Sequence, residues 1–416
     1  MRRALTAGSI IAFVALAALG AWTASRLQPA SSQEQTVGPI APSPAEAMPE
    51  PPPRPNRPEI IKAIYLTSWS AATPSRVAKA LALIDGTELN GIVIDLKDYT
   101  GKVVFRSGNP LVARMGSEVH RVDLSALVRT FHERGIYVVV RIAAFQDHHL
   151  ATSRPELAVQ DPAGRLWRDK QGLGWVDPAS REVWGYLAEV GKAAAAAGVD
   201  ELNFDYIRFP SDGNLDGLRY PSFDEQRGNR RRTIQQFFEY LTAELRPTGA
   251  VLSADLFGLV TVAQGDLGIG QILEDALLYF DYIAPMVYPS HYARGFLTYR
   301  NPATHPYEVV HYSMRMAEER RRRLARLMST FTQDPEAGGL SDQGSAPALA
   351  RLRPWLQAFD LGAPYPPSAV RAQIQAVYDA GGSSGWYLWS PLNIYDPEAL
   401  EEPADRRDGN GRRRGP

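Results

Sequence analysis

The sequence predicts a (β/α)₈ barrel, an α/β protein of the TIM type, and two observations carry that expectation. Eight short runs rich in β-branched and aromatic residues recur along the chain, and a helical stretch separates each from the next. The runs are also continuously apolar rather than alternating, as strands are when helices cover both faces of a parallel sheet. A doubly wound open sheet would share the alternation, but no G-x-G-x-x-G follows the first strand.

In chain order the strands are expected at 61–69 (IKAIYLTSW), 91–97 (GIVIDLK), 136–145 (IYVVVRIAAF), 201–207 (ELNFDYI), 251–257 (VLSADLF), 281–288 (DYIAPMVY), 353–360 (RPWLQAFD) and 385–390 (GWYLWS). Helices are expected between them. Pro74–Ile84 has proline in its first turn, and Leu124–Arg134 follows the capping residue Asp123. Ser180–Ala197, Glu225–Arg246, Ile269–Leu278, Tyr307–Met328 and Pro367–Ala380 continue the series. Glycines mark the helix-to-strand turns at Gly91, Gly135, Gly198 and Gly385.

The barrel, assigned to residues 59–397, carries flanking segments of different character. Arg2 and Arg3 precede an apolar run of about 20 residues, long enough to span a bilayer. Residues 1–26 are therefore expected to act as a signal peptide or an uncleaved membrane anchor, and the remainder to be exported, secreted or membrane-tethered. Residues 27–58 hold ten prolines and read as an extended linker. Residues 398–416, EEPADRRDGNGRRRGP preceded by Glu-Ala-Leu, read as a charged disordered tail.

Composition narrows the function classes. Apolar residues make up 44% of the 416 residues and charged residues 22%, which allows a large core. A formal net charge of −1 argues against nucleic acid as a partner. The absence of cysteine removes thiolate nucleophiles, disulfides and cysteine metal sites. No cofactor is expected. His148 and His149 next to Asp147 lack metal-ligand spacing, so no metal site is expected either.

Barrel chemistry sits at the C-terminal ends of the strands. There the sequence offers Trp69 from strand 1, Asp95 and Lys97 from strand 2, and Arg141 from strand 3. Strand 4 offers Asn203, Asp205 and Arg208, and strand 5 offers Asp255. Tyr288 follows from strand 6, Asp360 from strand 7, and Trp386 and Trp389 from strand 8. Acids on neighbouring strand ends are what hydrolysis of a glycosidic bond requires, one to protonate the leaving oxygen and one to attack or activate water. Crowding splits their pKa values, so that one can hold its proton near neutral pH. The catalytic candidates are Asp205, Asp255, Asp360 and Asp95. The substrate-binding candidates are Trp69, Lys97, Asn203, Arg208, Tyr288, Trp386 and Trp389, whose aromatic faces and donors suit sugar rings and hydroxyls. Each acid also has a structural reading, as a helix cap, a loop cap or the partner of a barrel arginine.

The segments KAIYLTSW, GIVIDLKDYTG, ELNFDYIRFPSDG, YIAPMVYPSHY and GWYLWSPLNIY together resemble a bacterial family of glycosyl hydrolase domains whose activity is itself a prediction. The resemblance spans roughly residues 60–395 and implies a TIM barrel, glycosidase activity and frequent export. GVDELNFDYIRF is also similar to the fourth strand of chitinase-type barrels. That similarity places Asp200, Asn203 and Asp205 on the three acid positions of their motif and Ile207 where the catalytic glutamate would stand, which argues against the substrate-assisted mechanism. α-Amylase-type barrels end strands 4, 5 and 7 with acids, which would correspond to Asp205, Asp255 and Asp360. The sequence departs from them in having Asp on strand 5 and Asn203 where an arginine precedes the nucleophile.

The expected function is hydrolysis of an extracellular or cell-envelope polysaccharide, with Asp205 as nucleophile or stabiliser and Asp255 as general acid/base. The alternative is a non-catalytic carbohydrate-binding barrel of the envelope. A barrel for phosphorylated metabolites fits less well, since the loops after strands 7 and 8 lack a glycine-rich cradle.

Overall fold

A computed structural model describes residues 58–332, 348–382 and 384–403. Nine strands follow one another as β1 (Ile61–Leu66), β2 (Gly91–Lys97), β3 (Tyr137–Ala143), β4 (Glu201–Asp205), β5 (Val251–Phe257), β6 (Tyr282–Met286), β7 (Arg351–Leu352), β8 (Trp355–Gln357) and β9 (Gly385–Trp389). All pairings between them are parallel. The sheet runs β5-β4-β3-β2-β1-β9-β8-β6-β7, and β5 pairs with β6 to close it. Both β7 and β8 pair with β6, so together they make one of the eight staves. This is the (β/α)₈ barrel.

The split in the seventh stave has a local cause. Pro354 has no N–H to give the ladder, so the expected 353–360 strand breaks around it, while its carbonyl still accepts from Tyr387 N at 2.9 Å. The fourth strand ends earlier than expected, at Asp205, because Tyr206 has a φ of 54°, a left-handed conformation that no strand continues. Gly385 takes a φ of +96° between β9 and β1, where a Cβ would lie 1.7 Å from Ile61 O, so only glycine fits that join.

The helices fall where the pattern placed them, with ends set by capping. Pro74–Gly86, Leu124–His132, Arg181–Ala196, Arg230–Leu245, Leu273–Leu277, Pro306–Thr332 and Pro367–Asp379 follow their strands. Asn229 accepts from Arg232 N and so starts the helix after β4 later than the sequence pattern alone indicates. Two loops are larger than expected. Residues after β3 form a short helix, His148–Ser153, and then a flap with antiparallel bridges at Ala158–Val176 and Gln160–Leu166. A bridge between Gln160 and Arg219 ties that flap to the loop after β4.

Two apolar layers result. Ile61, Ala63, Tyr65, Val93, Tyr137, Val139, Ala284, Trp355 and Tyr387 fill the barrel interior, and a larger layer lies between strands and helices. At the N-terminal floor of the barrel, Glu201 and Arg353 form an ion pair of 2.8 Å with no exposed side-chain surface on either residue. Tyr387 Oη donates to Glu201 at 2.8 Å.

The apolar segment at 1–26, most of the linker and residues 404–416 lie outside the described residues, and no helix among the described residues is long and apolar enough to cross a membrane. The start of the expected tail is held against the barrel. Glu401 N donates to Glu88 at 3.0 Å, Glu88 N donates back to Glu401 O at 2.7 Å, and Ala399 is buried.

Candidate active site

Inward-facing positions on β2 to β5 bring three acids to one guanidinium. Register places Asp95 beside Arg141 and Arg141 beside Asn203, with Asp205 one pleat further towards the C-terminal mouth. Arg141 Nη1 donates to Asp95 Oδ1 at 2.8 Å, Nη2 donates to Asp205 Oδ2, and Nε lies 3.4 Å from Asp255 Oδ2. Arg141 retains 14% of its side-chain surface, Asp95 6% and Asp205 5%, whereas Asp255 retains none. The first three thus line the bottom of the mouth, and Asp255 lies beneath them.

One positive charge cannot balance three carboxylates in a site of low dielectric, and the surplus is met by protons. Burial pushes the Asp255 carboxyl well above the usual carboxylate range. The adjacent Asp205 charge pushes it further, and Arg141, Asn203 and Trp355 only partly offset this. Burial also raises Asp95, against the opposing pull of Arg141 and a hydrogen bond from Tyr65. Asp205 faces donors on both oxygens, Arg141 on Oδ2 and its neighbour's Tyr206 N–H on Oδ1 at 2.5 Å. The left-handed turn at Tyr206 makes that second contact possible, at a cost on the order of 1 kcal/mol.

Asp255 is held from below. Trp355 Nε1 donates to its Oδ1 at 2.7 Å and Asn203 Nδ2 to the same atom at 2.9 Å. Its other oxygen has no hydrogen-bond partner. A carboxyl with no accessible surface cannot reach a glycosidic oxygen, so the acid/base role expected of Asp255 does not fit its position.

Asp360 is not brought to the cluster at all. It is exposed and accepts from Tyr365 N at 2.7 Å, closing its own loop. Trp355 occupies the corresponding stave beside Asp255. Lys97 is turned away from the mouth because the register of β2 against β3 shifts between Asp95 and Lys97. Its ammonium is buried against Asp147 at 2.9 Å and donates to Ala143 O at 2.6 Å. Trp386 points outward too, fully buried, with Nε1 donating to Tyr378 Oη at 3.1 Å on the covering helix.

The other candidates flank the acids. Asn203 supports Asp255, as described. The Tyr288 and Trp389 rings are tilted against each other with centroids 5.4 Å apart, and Tyr65 lies 6.4 Å from Trp389 and 6.3 Å from Trp355, forming one aromatic wall. Trp69 stands on the rim, 67% exposed, with Arg121 stacked 3.7 Å over its ring. Arg208 lies beyond Tyr206, boxed by aromatic rings. His148 and His149 are engaged elsewhere: His148 Nδ1 accepts from Gly174 N at 3.0 Å, and His149 contacts Lys102 at 3.0 Å.

Tyr65 and Trp355 were not singled out by the sequence, and Arg141, though present at the end of strand 3, was given no role there. Arg141 carries the same signal that marked Asp205, a charge inside an otherwise apolar strand, YVVVRIA. It also accounts for Asn203, since the guanidinium missing from β4 is supplied from β3 in register with that position.

Fold and cluster together define a TIM barrel of the glycoside hydrolase class, with a charged acid centre at its mouth. The chain belongs to the family described as "Putative glycosyl hydrolase domain", whose model matches residues 63–395. Among solved structures, a hypothetical protein from Ruminiclostridium thermocellum is 36% identical over 46% of this chain and 96% of its own, with a TM-score of 0.42. The PgaB (BpsB) glycoside hydrolase domain from Bordetella bronchiseptica is 14% identical over 82% of this chain and 99% of its own, with a TM-score of 0.57, a likeness of fold. An α-galactosidase from Thermus thermophilus is 15% identical over 83% of this chain and 61% of its own, with a TM-score of 0.46. No curated protein matches the sequence.

Proposed function

We propose that the protein is an exported glycoside hydrolase acting on a cell-envelope or extracellular polysaccharide, with Asp205 as nucleophile or charge stabiliser and Asp95 as general acid/base. The observation that carries this is the pair of mouth-lining carboxylates bonded to adjacent nitrogens of Arg141. Asp95 has the raised pKa that a proton donor needs, and Tyr65 holds one of its oxygens in place. Asp205 is held by the guanidinium on one oxygen and a backbone N–H on the other, which fix its carboxylate at the mouth. Asp255 stays protonated beneath them and limits the negative charge of the centre.

Substrate would lie along the wall of Tyr65, Trp389 and Tyr288, with Trp69 as an outer platform. Export rests on the basic and apolar N-terminal segment, which would either be cleaved or tether the barrel through the proline-rich linker. The test is release of reducing ends by the full-length protein from a panel of envelope and secreted polysaccharides, with Asp205→Asn as control. Equal activity in that variant, with circular dichroism unchanged, sinks the assignment.

The non-catalytic reading retains one observation. Ile207, where chitinase-type barrels place their catalytic acid, is fully buried and contributes nothing to the mouth. Glycan binding with no reducing ends released from any bound glycan would decide in its favour.

A further inference from the structure

Among the described residues, Arg141, Arg208 and Arg353 lie in or beside the barrel, and only Arg141 and Arg353 have carboxylates to answer them. Arg141 is paired with the mouth acids and Arg353 with Glu201. Arg208 is 7% exposed, yet no carboxylate among the described residues pairs with it. Its Nη1 donates to Phe209 O at 3.2 Å and to Ser211 Oγ at 3.0 Å, and these are its hydrogen bonds among the described residues. The rest of the guanidinium faces rings, with Cζ 4.5 Å from the Phe257 centroid, 4.7 Å from Trp175 and 5.4 Å from Tyr206. Ring faces stabilise a cation by about 0.5–2 kcal/mol each, less than the cost of stripping water from an unpaired charge. Burial correspondingly lowers the Arg208 pKa, with Tyr206, Asp205, Asp212 and Asp169 opposing from a distance.

The position of this cation matters as much as its isolation. The Tyr206 ring lies close to two guanidiniums, Arg141 at 5.9 Å and Arg208 at 5.4 Å from its centroid. Arg208 therefore shares the Tyr206 ring with the arginine that holds the proposed catalytic acids. Asp169, beside the box, accepts from Trp175 Nε1 at 2.9 Å and from Gln146 Nε2 at 2.6 Å and so does not pair with Arg208. A buried cation without an anion describes what the site lacks.

We infer that Arg208 forms a subsite for an acidic sugar, in which the carboxylate of a hexuronate binds the edge of the guanidinium that makes no hydrogen bond among the described residues. The protein would thus select uronate-containing polysaccharides. This rests on the glycosidase reading for the sugar itself, and on Arg208 alone for the charge.

Calorimetric titration of the full-length protein with D-glucuronate, D-glucose and D-glucose 6-sulfate tests it. Glucuronate is expected to bind on the order of tenfold more tightly than glucose, the discrimination of one desolvated charge-assisted contact. Arg208→Gln is expected to abolish that preference, and Arg208→Lys, which keeps the charge and protects against a folding defect, to keep part of it. Glucuronate binding that equals glucose binding, or is absent, overturns the inference. So does a preference that survives Arg208→Gln in folded protein, and tighter binding of the sulfate transfers the site to a sulfate ester and overturns the uronate assignment. Asp205→Asn separates the two readings, because it should abolish hydrolysis and keep the preference. Hydrolysis of neutral glycans with no uronate preference overturns the subsite alone. Uronate preference with no reducing ends released from any uronate polysaccharide overturns the hydrolase reading alone.

Discussion

The two ends of the barrel each bury an arginine among acids and tyrosines, and they do opposite things with it. At the floor the ratio is one to one. Arg353 donates to both oxygens of Glu201, at 2.8 and 3.1 Å, and Tyr387 completes the shell. Burial would raise Glu201, but the Arg353 charge and the hydrogen bonds outweigh it and hold its pKa below the usual value, while Glu201 pushes Arg353 up. Both stay charged, and the pair has no proton to exchange. At the mouth the ratio is one guanidinium to three acids, and the excess charge is absorbed by raised pKa values on Asp255 and Asp95. Charge balance makes the floor a fixed plug; imbalance makes the mouth a place where protons can move.

The largest effect that separates the ends is on turnover. Asp205→Asn should lower kcat by about 10³-fold or more, roughly 4 kcal/mol of barrier, in steady-state assays on the identified substrate, with the denaturant midpoint little changed. The floor should respond in the other direction. Glu201→Gln leaves Arg353 buried without its counter-charge and should cost about 3–5 kcal/mol in urea unfolding, while kcat per folded molecule stays constant. A loss of kcat at the floor equal to that at the mouth would erase the contrast.

Asp95→Asn should lower kcat/KM by about 10²-fold, the usual worth of a general acid, and should reshape its pH dependence. Because Asp95 must be protonated to donate, wild-type activity falls as pH rises through its raised pKa. The variant should lose that alkaline limb, and its retention would move the donor elsewhere.

The smallest effect concerns Asp255. Its folded pKa lies well above the unfolded value, so the folded state holds a proton that the unfolded state releases. Stability from this group is complete below the unfolded pKa of about 4 and is lost as pH rises towards the folded pKa. Asp255→Asn keeps a neutral group that can accept from Trp355 and Asn203, so it should be within about 1 kcal/mol of wild type near pH 4. At higher pH it should gain on wild type, as read from paired urea curves at pH 4 and pH 8. Parallel pH profiles would show that Asp255 does not hold its proton.

Much of the fold was legible because barrel strands are covered on both faces and so announce themselves as unbroken apolar runs. Two of the missed boundaries had a single-residue cause, Pro354 in the seventh stave and the left-handed Tyr206 after the fourth, and the expected first strand gives way after Leu66 to a short helix, Ser68–Ala71. The candidate site was legible in part, as charges lodged at the ends of those runs. Asp95 and Asp205 could be picked out on that basis, and Arg141 carried the same mark. Asp360 and Lys97 carried it as well, and Trp386 stood out for its ring, yet all three stand elsewhere, one closing its loop and two turned towards the covering helices.

The sequence by itself determined the barrel, the staves that bring acids to the mouth and the exclusion of thiol chemistry, because these depend on composition, local periodicity and which residues are present. Tertiary structure alone decided which acids share a guanidinium, which is sealed below the mouth and which arginine is left without a partner. Those outcomes depend on register and on a shift between Asp95 and Lys97 that turns one side chain from the barrel axis to its outer layer. They depend too on a charge balance summed over four strands, and no single strand contains that sum.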